Sequence, residues 1–201
     1  MNMNNIFFNF SHPLLEKLNE GKTIKFGFQL FFWVLSVLSL LAALYVLYTF
    51  FNYMGSLPTA KAKIAGFLYT LSMVFALWIS FQIFLFRAKT IADLHNSSYV
   101  VTPIVSIFFR TFGEVMACII FTAGVVAGLS SLIAGSEFAG LPGAGAFAEY
   151  GVGAIIAAPI IAFMFISFFY LIAEGISCLP EIAVSTKRTA DALDKNNNSN
   201  S

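Results

Sequence analysis

Apolar residues run along the chain in four long stretches, and none of them alternates with a period of two. The first, 26–53, is 28 residues without a charge, about 42 Å long as a helix. The second, 64–86, holds 23 uncharged residues. The third, 111–134, carries only Glu114, near its start, and the fourth, 152–173, carries no charge. A helix needs about 20 apolar residues to cross a hydrocarbon core of roughly 30 Å. Backbone polar groups cannot be left open in lipid, so the spans must be helices or barrel strands. Uncharged runs of this length without alternation exclude the barrel. The pattern therefore predicts an all-α fold, an integral membrane four-helix bundle made of two transmembrane hairpins.

The segments between the spans predict the rest of the organisation. Residues 1–25 mix Ile6, Phe7, Phe8, Phe10, Leu14, Leu15 and Leu18 with Glu16, Lys17 and Glu20, which suits an amphipathic lead-in at the membrane surface. Residues 1–5 have no positive charge and the first apolar run is too long for a signal-peptide core, so that run is expected to remain in the mature chain. Gly55 to Lys63 is a short turn, and 87–99 is a polar loop. Thr102 and Pro103 mark a start for the third helix. Residues 135–151 are rich in Gly and Ala without a basic residue, as expected of a loop packed against the helix ends. Residues 26–174 form the transmembrane domain. Residues 175–201 form a helical stub kinked at Pro180, with an Asn/Ser-rich tail from Asp194 whose composition points to disorder.

Composition agrees with the span pattern: 59% of residues are hydrophobic and 10% charged, against about 25% charged in a soluble domain. The near balance of 11 basic and 10 acidic residues excludes a strongly basic nucleic-acid binder. Placement of charge matters more than its total. Lys17, Lys22, Lys25, Arg87, Lys89, Arg110, Lys187, Arg188 and Lys195 all fall on the side of the termini, and only Lys61 and Lys63 fall on the other. The positive-inside rule then predicts N-in/C-in topology, with Asn2 and Ser201 cytoplasmic and Gly143 outside.

Candidate chemistry is sparse. His12 and His95 lie outside the spans and far apart, which excludes a transmembrane bis-His haem within one chain and indicates no metal site. No phosphate-binding loop or nucleophile elbow is present. Two Cys rule out a disulfide framework, and Cys118 and Cys178 read as packing residues on the reducing side. No catalytic residue and no cofactor are assigned.

Four charged residues stand out at the membrane boundary. Glu114 and Glu174 mark the inner ends of spans three and four and are expected at one depth, about 30 Å from the outer ends. Arg110, at i,i+4 from Glu114, is the immediate candidate partner, and Arg87 ends span two at comparable depth. The cluster is either a cation or proton site at a pore mouth or an ion-pair group fixing helix register. Its distance from the midplane favours the second. Small residues form the other signal. Gly124 and Gly128 on span three, and Ala154, Ala158 and Ala162 on span four, should let these two helices approach closely.

The exit of span four, Tyr170-Leu-Ile-Ala-Glu174 followed by Glu181-Ile-Ala-Val-Ser-Thr-Lys-Arg-Thr189, resembles the ends of small bacterial multi-pass inner-membrane proteins of uncharacterised function. The resemblance implies a bacterial inner-membrane setting and a cytoplasmic helical stub, and no activity. The expected function is that of a non-enzymatic accessory or scaffold protein, whose partners are the lipid bilayer and either copies of itself or other membrane subunits. A small oligomeric channel or transporter using Glu114 and Glu174 is the alternative.

Overall fold

The fold is that of a computed structural model, which describes residues 22–94, 101–135, 137 and 150–199, with side chains through residue 190. The lead-in expected over 1–21, most of the loop after Ala134 and the side chains of the tail lie outside the described residues. Four helices account for nearly all of the rest: α1 Lys22–Met54, α2 Ala60–Ala92, α3 Val101–Ala134 and α4 Val152–Ser199. No strand occurs among the described residues. Each helix is long and apolar enough to cross a membrane.

The helices outrun the apolar stretches because nothing in the flanking sequence stops them. α2 continues through Arg87, Lys89 and Thr90 to Ala92, where the backbone N–H of Asp93 caps it on the Ile91 and Lys89 carbonyls. The polar loop expected from residue 87 is thus helical for its first half, since its residues are compatible with a helix and lie beyond the apolar core. α3 starts at Val101, beside the Thr102-Pro103 signal. α2 opens on Thr59, whose hydroxyl oxygen accepts from the Ala62 N–H at 3.2 Å and donates to Glu137 at 2.5 Å, tying the first turn to the end of α3. Gly135 follows α3 with φ +61°, the left-handed conformation that closes many helices. α4 contains Pro159 and Pro180 and still runs 48 residues, to Ser199, through the segment whose composition points to disorder. At 1.5 Å per residue that is about 72 Å.

Packing is between sequence neighbours, most extensively α3 with α4, then α1 with α2, then α2 with α3. α1 reaches α3 only near the end that holds the chain's first described residues, through contacts such as Phe31 with Phe108. Two separate cores result. One joins Leu57, Ala62, Ala65 and Tyr69 to Ala127 and Ala134; the other joins Phe32, Ala88, Ile91 and Ile104. The molecule is therefore an open row of four antiparallel helices, the two expected hairpins set side by side. The reason lies in α4. Its small face is turned to α3, while Ile156, Ile160, Phe163, Met164, Phe168 and Leu171 stay exposed. Only 11% of its most apolar window is buried, so most of the helix has no complement among the described residues.

Hydroxyls help join the row. On α1, Ser36, Ser39 and Ala43 form a buried small stripe, and Ser39 donates to the Leu77 carbonyl of α2 at 2.8 Å. Ser130 of α3 donates to the Ala65 carbonyl of α2 at 3.2 Å. Ser106 of α3 donates to the Ala173 carbonyl of α4 at 3.0 Å and accepts from Ser177 at the same distance. In lipid such bonds contribute about 0.6 kcal/mol each, comparable to close backbone packing and not dominant over it.

Candidate functional site

Arg87, Glu114 and Arg110 meet where α2, α3 and α4 pass one another, near the end of the apolar stretch of α2 and the start of that of α3. Arg87 is on α2, five residues before its end, and faces α3. Glu114 is the fourteenth residue of α3, about 20 Å along the helix from its start and about 30 Å from Ala134. Arg87 Nη2 donates to Glu114 Oε1 at 2.5 Å, and the two side chains are 19% and 18% exposed. The Tyr170 hydroxyl of α4 donates to the same oxygen at 2.6 Å. One carboxylate thereby bonds to two helices on either side of its own. Charge-assisted bonds of this kind are about twice as strong as neutral ones, so Glu114 is a fixed strut between α2 and α4.

Arg110 does not take the role that its spacing suggests. The i,i+4 neighbour of Glu114 places its guanidinium 5.5 Å from the centre of the Tyr170 ring, a cation–π contact, and forms no ion pair among the described residues. Its Nε is buried and has no hydrogen-bond partner, and neither has Nε of Arg87. Arg87 also lies 5.8 Å from the centre of the Phe86 ring.

Glu174 is not part of the cluster. Gly113 meets Phe169, Gly128 meets Ile155, and Ser106 meets Ala173, so α3 and α4 pair in a constant antiparallel register. That register sets Glu174 beside residue 107 of α3 and Glu114 beside residue 167 of α4, about 10 Å apart along the helices. The expectation that the two acids are level is thereby corrected. α4 begins level with Leu129 rather than with Ala134, and this offset carries Glu174 past the level of Glu114, where it is exposed and unbonded among the described residues. Equal counts from the loop ends mislead because the two helices do not start at one height.

The small residues of the α3–α4 contact are all buried: Gly124 and Gly128 on α3, and Ala154, Ala158 and Ala162 on α4. At Gly128 an added Cβ would stand 2.6 Å from Ile155 Cγ1 and 2.8 Å from the Gly151 carbonyl oxygen. Gly113 and Tyr170 are the residues that sequence reasoning passes over. Gly113 is where Phe169 presses against α3, 2.7 Å from a built Cβ, and Phe169 in turn contacts Phe109 and Phe112. The available signal for Tyr170 was its place one turn before Glu174 in a span otherwise poor in hydrogen-bonding side chains.

A groove of about 440 Å³ runs along the side of α2 that faces away from α1 and ends at the Arg87–Glu114 pair. A second space of about 220 Å³ lies between α1, α2 and α3 and is lined by Phe31, Phe32, Phe84, Phe108 and Phe112 with other apolar side chains and Thr111. Among the described residues no three His, Cys, Asp or Glu side chains gather as a metal site would require. Compared with protein-family models, curated proteins and solved structures, the chain matches none of them.

Proposed function

We propose that the chain is a multi-pass integral membrane protein, N-in/C-in in a bacterial inner membrane, that serves as a non-enzymatic scaffold assembling through α4 into a homo-oligomer or a larger membrane complex. The observation that carries this reading is the isolation of α4. It packs on α3 alone through a narrow small-residue face, leaves its bulky face uncovered, and continues about 29 Å past Pro180, beyond the start of α3, as a helix. Leu179 and Ile182, beside Pro180, are 61% and 60% exposed and lie outside the apolar span, where lipid does not cover them. A row with a free edge and a projecting helix is suited to holding other chains.

The ion cluster supports the scaffold reading over a channel. Glu114 is neutralised by Arg87 and bonded by Tyr170, a rigid arrangement that fixes three helices and offers no free carboxylate pair. Membrane location sets one side of the assay and Cys178 the other. Cys178 is exposed on α4, and Cys118→Ala leaves it as the single thiol. Oxidation in native membranes should join copies through Cys178 when α4 lines the assembly, and Ile182→Lys should abolish the product. A monomer by native mass spectrometry in mild detergent, with no stable partner, refutes the scaffold. Ion flux into liposomes above the protein-free level would establish the channel in its place.

A further inference from the structure

A groove of about 450 Å³ opens near the start of α1, lined by Ile24, Gly27, Phe28 and Phe31 with Phe108 of α3. Its lining is wholly apolar, yet it lies at a charged level of the molecule. Lys25 donates to the Leu94 carbonyl, and the Phe32 ring meets that of Phe84. Residues 25–32 of α1 therefore run beside residues 84–94 of α2, the stretch that holds Arg87, Lys89 and Asp93. On α3, Phe108 precedes Arg110. The uncharged runs of α2 and α3 stop at this level, so acyl chains of a bilayer would leave most of the groove uncovered. An apolar surface rimmed by charge marks a place that another segment covers.

The chain itself supplies a cover of matching size and polarity. Residues 1–21 lead straight into α1, whose first residue, Lys22, is two residues before Ile24. Ser11 and Pro13 are a helix-start signal. At helical spacing Leu14, Leu15 and Leu18 share one face, with Glu16 and Glu20 on the other. Gly21 joins this segment to α1, and glycine takes the backbone conformations that a sharp reversal requires. Counted outward from Gly21, Leu18, Leu15 and Leu14 stand three, six and seven residues away on one side, and Ile24, Gly27 and Phe28 on the other. A reversal at Gly21 thus brings the leucines to the heights of the groove residues. Gly27 is the open floor there, with nothing within 4 Å of an added Cβ. A short tether also holds the segment at an effective concentration of the order of mM, an advantage over any second copy. We infer that the groove seats the lead-in of its own chain, residues 11–20, folded back at Gly21 with Leu14, Leu15 and Leu18 against Ile24, Gly27, Phe28 and Phe31. The charged face of the segment then replaces an apolar surface at this level. The inference does not depend on the assembly through α4 proposed above.

Disulfide trapping tests the fold-back in the full chain. With Cys118→Ala and Cys178→Ala as background, Gly27→Cys is paired in turn with Leu15→Cys, Leu18→Cys and Glu16→Cys, and each protein is oxidised in native membranes. Trypsin cuts after Lys17, Lys22 and Lys25, so the peptide carrying the new lead-in thiol stays joined to the one carrying residue 27 only through a disulfide, which mass spectrometry reads. At least one leucine pair should link in most molecules and the Glu16 pair in few. A bridge needs Cα atoms within about 7 Å. A lead-in running on as a straight extension of α1 would set residues 15 and 27 about 18 Å apart, and residues 18 and 27 about 13 Å apart. Leu14→Glu with Leu18→Glu should abolish the Leu15 link, because apolar burial and not the tether holds the segment. Failure of both leucine pairs to link overturns the proposal, since the lead-in then lies elsewhere and lipid or another chain covers the groove. Equal linking of the Glu16 pair, or a Leu15 link that survives the two glutamates, overturns it too, because the tether alone then brings the thiols together. The last control mixes copies carrying only Leu15→Cys with copies carrying only Gly27→Cys. A link between them as abundant as in the double variant would give the groove to the lead-in of a second copy, and no such link is expected.

Discussion

Replacing Gly128 by alanine adds one methyl group at the tightest point between α3 and α4. The built Cβ stands 2.6 Å from Ile155 Cγ1, 2.8 Å from the Gly151 carbonyl oxygen and 3.2 Å from the Ile155 nitrogen. Two of these are backbone atoms, so a rotamer change cannot relieve the clash and α4 must move away. Overpacking of this kind costs about 1–3 kcal/mol. Alanine in place of glycine returns up to about 1 kcal/mol through helix propensity. The net expectation is a loss of about 1–2 kcal/mol. Gly175→Ala is the matched control, because nothing lies within 4 Å of its added Cβ and only the propensity gain applies. The two variants should therefore differ by about 2–3 kcal/mol in opposite directions from the parent. The assay is reversible unfolding in mixed micelles with rising dodecyl sulfate, followed by tryptophan fluorescence. Equal midpoints for Gly128→Ala and Gly175→Ala would show that α3 and α4 do not meet at Gly128, and the close contact would be refuted.

Other outcomes follow from the ion cluster and the topology. Arg87→Ala strands the Glu114 carboxylate in a site that is 18% exposed, and should cost about 1–3 kcal/mol in the same titration, more than the Arg87→Gln, Glu114→Gln pair of changes. A pair of changes as costly as Arg87→Ala would show that the charge is not what matters. Tyr170→Phe keeps the ring under Arg110 and removes one bond to Glu114, an expected loss of about 1 kcal/mol, and an unchanged midpoint would deny that bond a role. In a background without the native thiols, Gly55→Cys should react with an impermeant maleimide from outside the cell, whereas Cys178 restored alone should react only after the membrane is opened. Labelling of both from the same side would overturn the two-hairpin arrangement.

The helices were legible because each rests on a long property of the sequence. Twenty or more uncharged residues in a row leave a backbone few alternatives, and the register of neighbouring helices does not enter. The site was legible by residue type and less so by pairing. Local spacing couples Glu114 to Arg110, but the bond goes to Arg87, twenty-seven residues earlier, because α2 crosses α3 at that height. Tyr170 and Gly113 depend on the α3–α4 register, and the local signal at Tyr170, its place one turn before Glu174, does not point to Glu114. Glu174 was misplaced for the same reason, since its height follows from where α4 starts and not from its distance to the loop. The stripe Ser36, Ser39 and Ala43 was hidden among the large aromatic residues of α1, of which Phe26, Phe31, Trp33, Tyr45, Tyr48 and Phe51 face outward while Phe32 and Phe50 are buried.

Because each helix packs on the one that precedes it in the chain, the order of synthesis is also an order of assembly. With the spans in a bilayer as proposed, α1 and α2 would enter it as a hairpin that already holds the Ser39 bond and the Phe32 contacts. α3 then finds the exposed side of α2, and α4, made last, closes the small face of α3. No helix would wait there for its main partner to be translated, and most long-range contacts join elements adjacent in the chain, a topology that favours fast folding. The final helix packs on α3 alone, so a three-helix platform would be complete before the segment that projects from it is made.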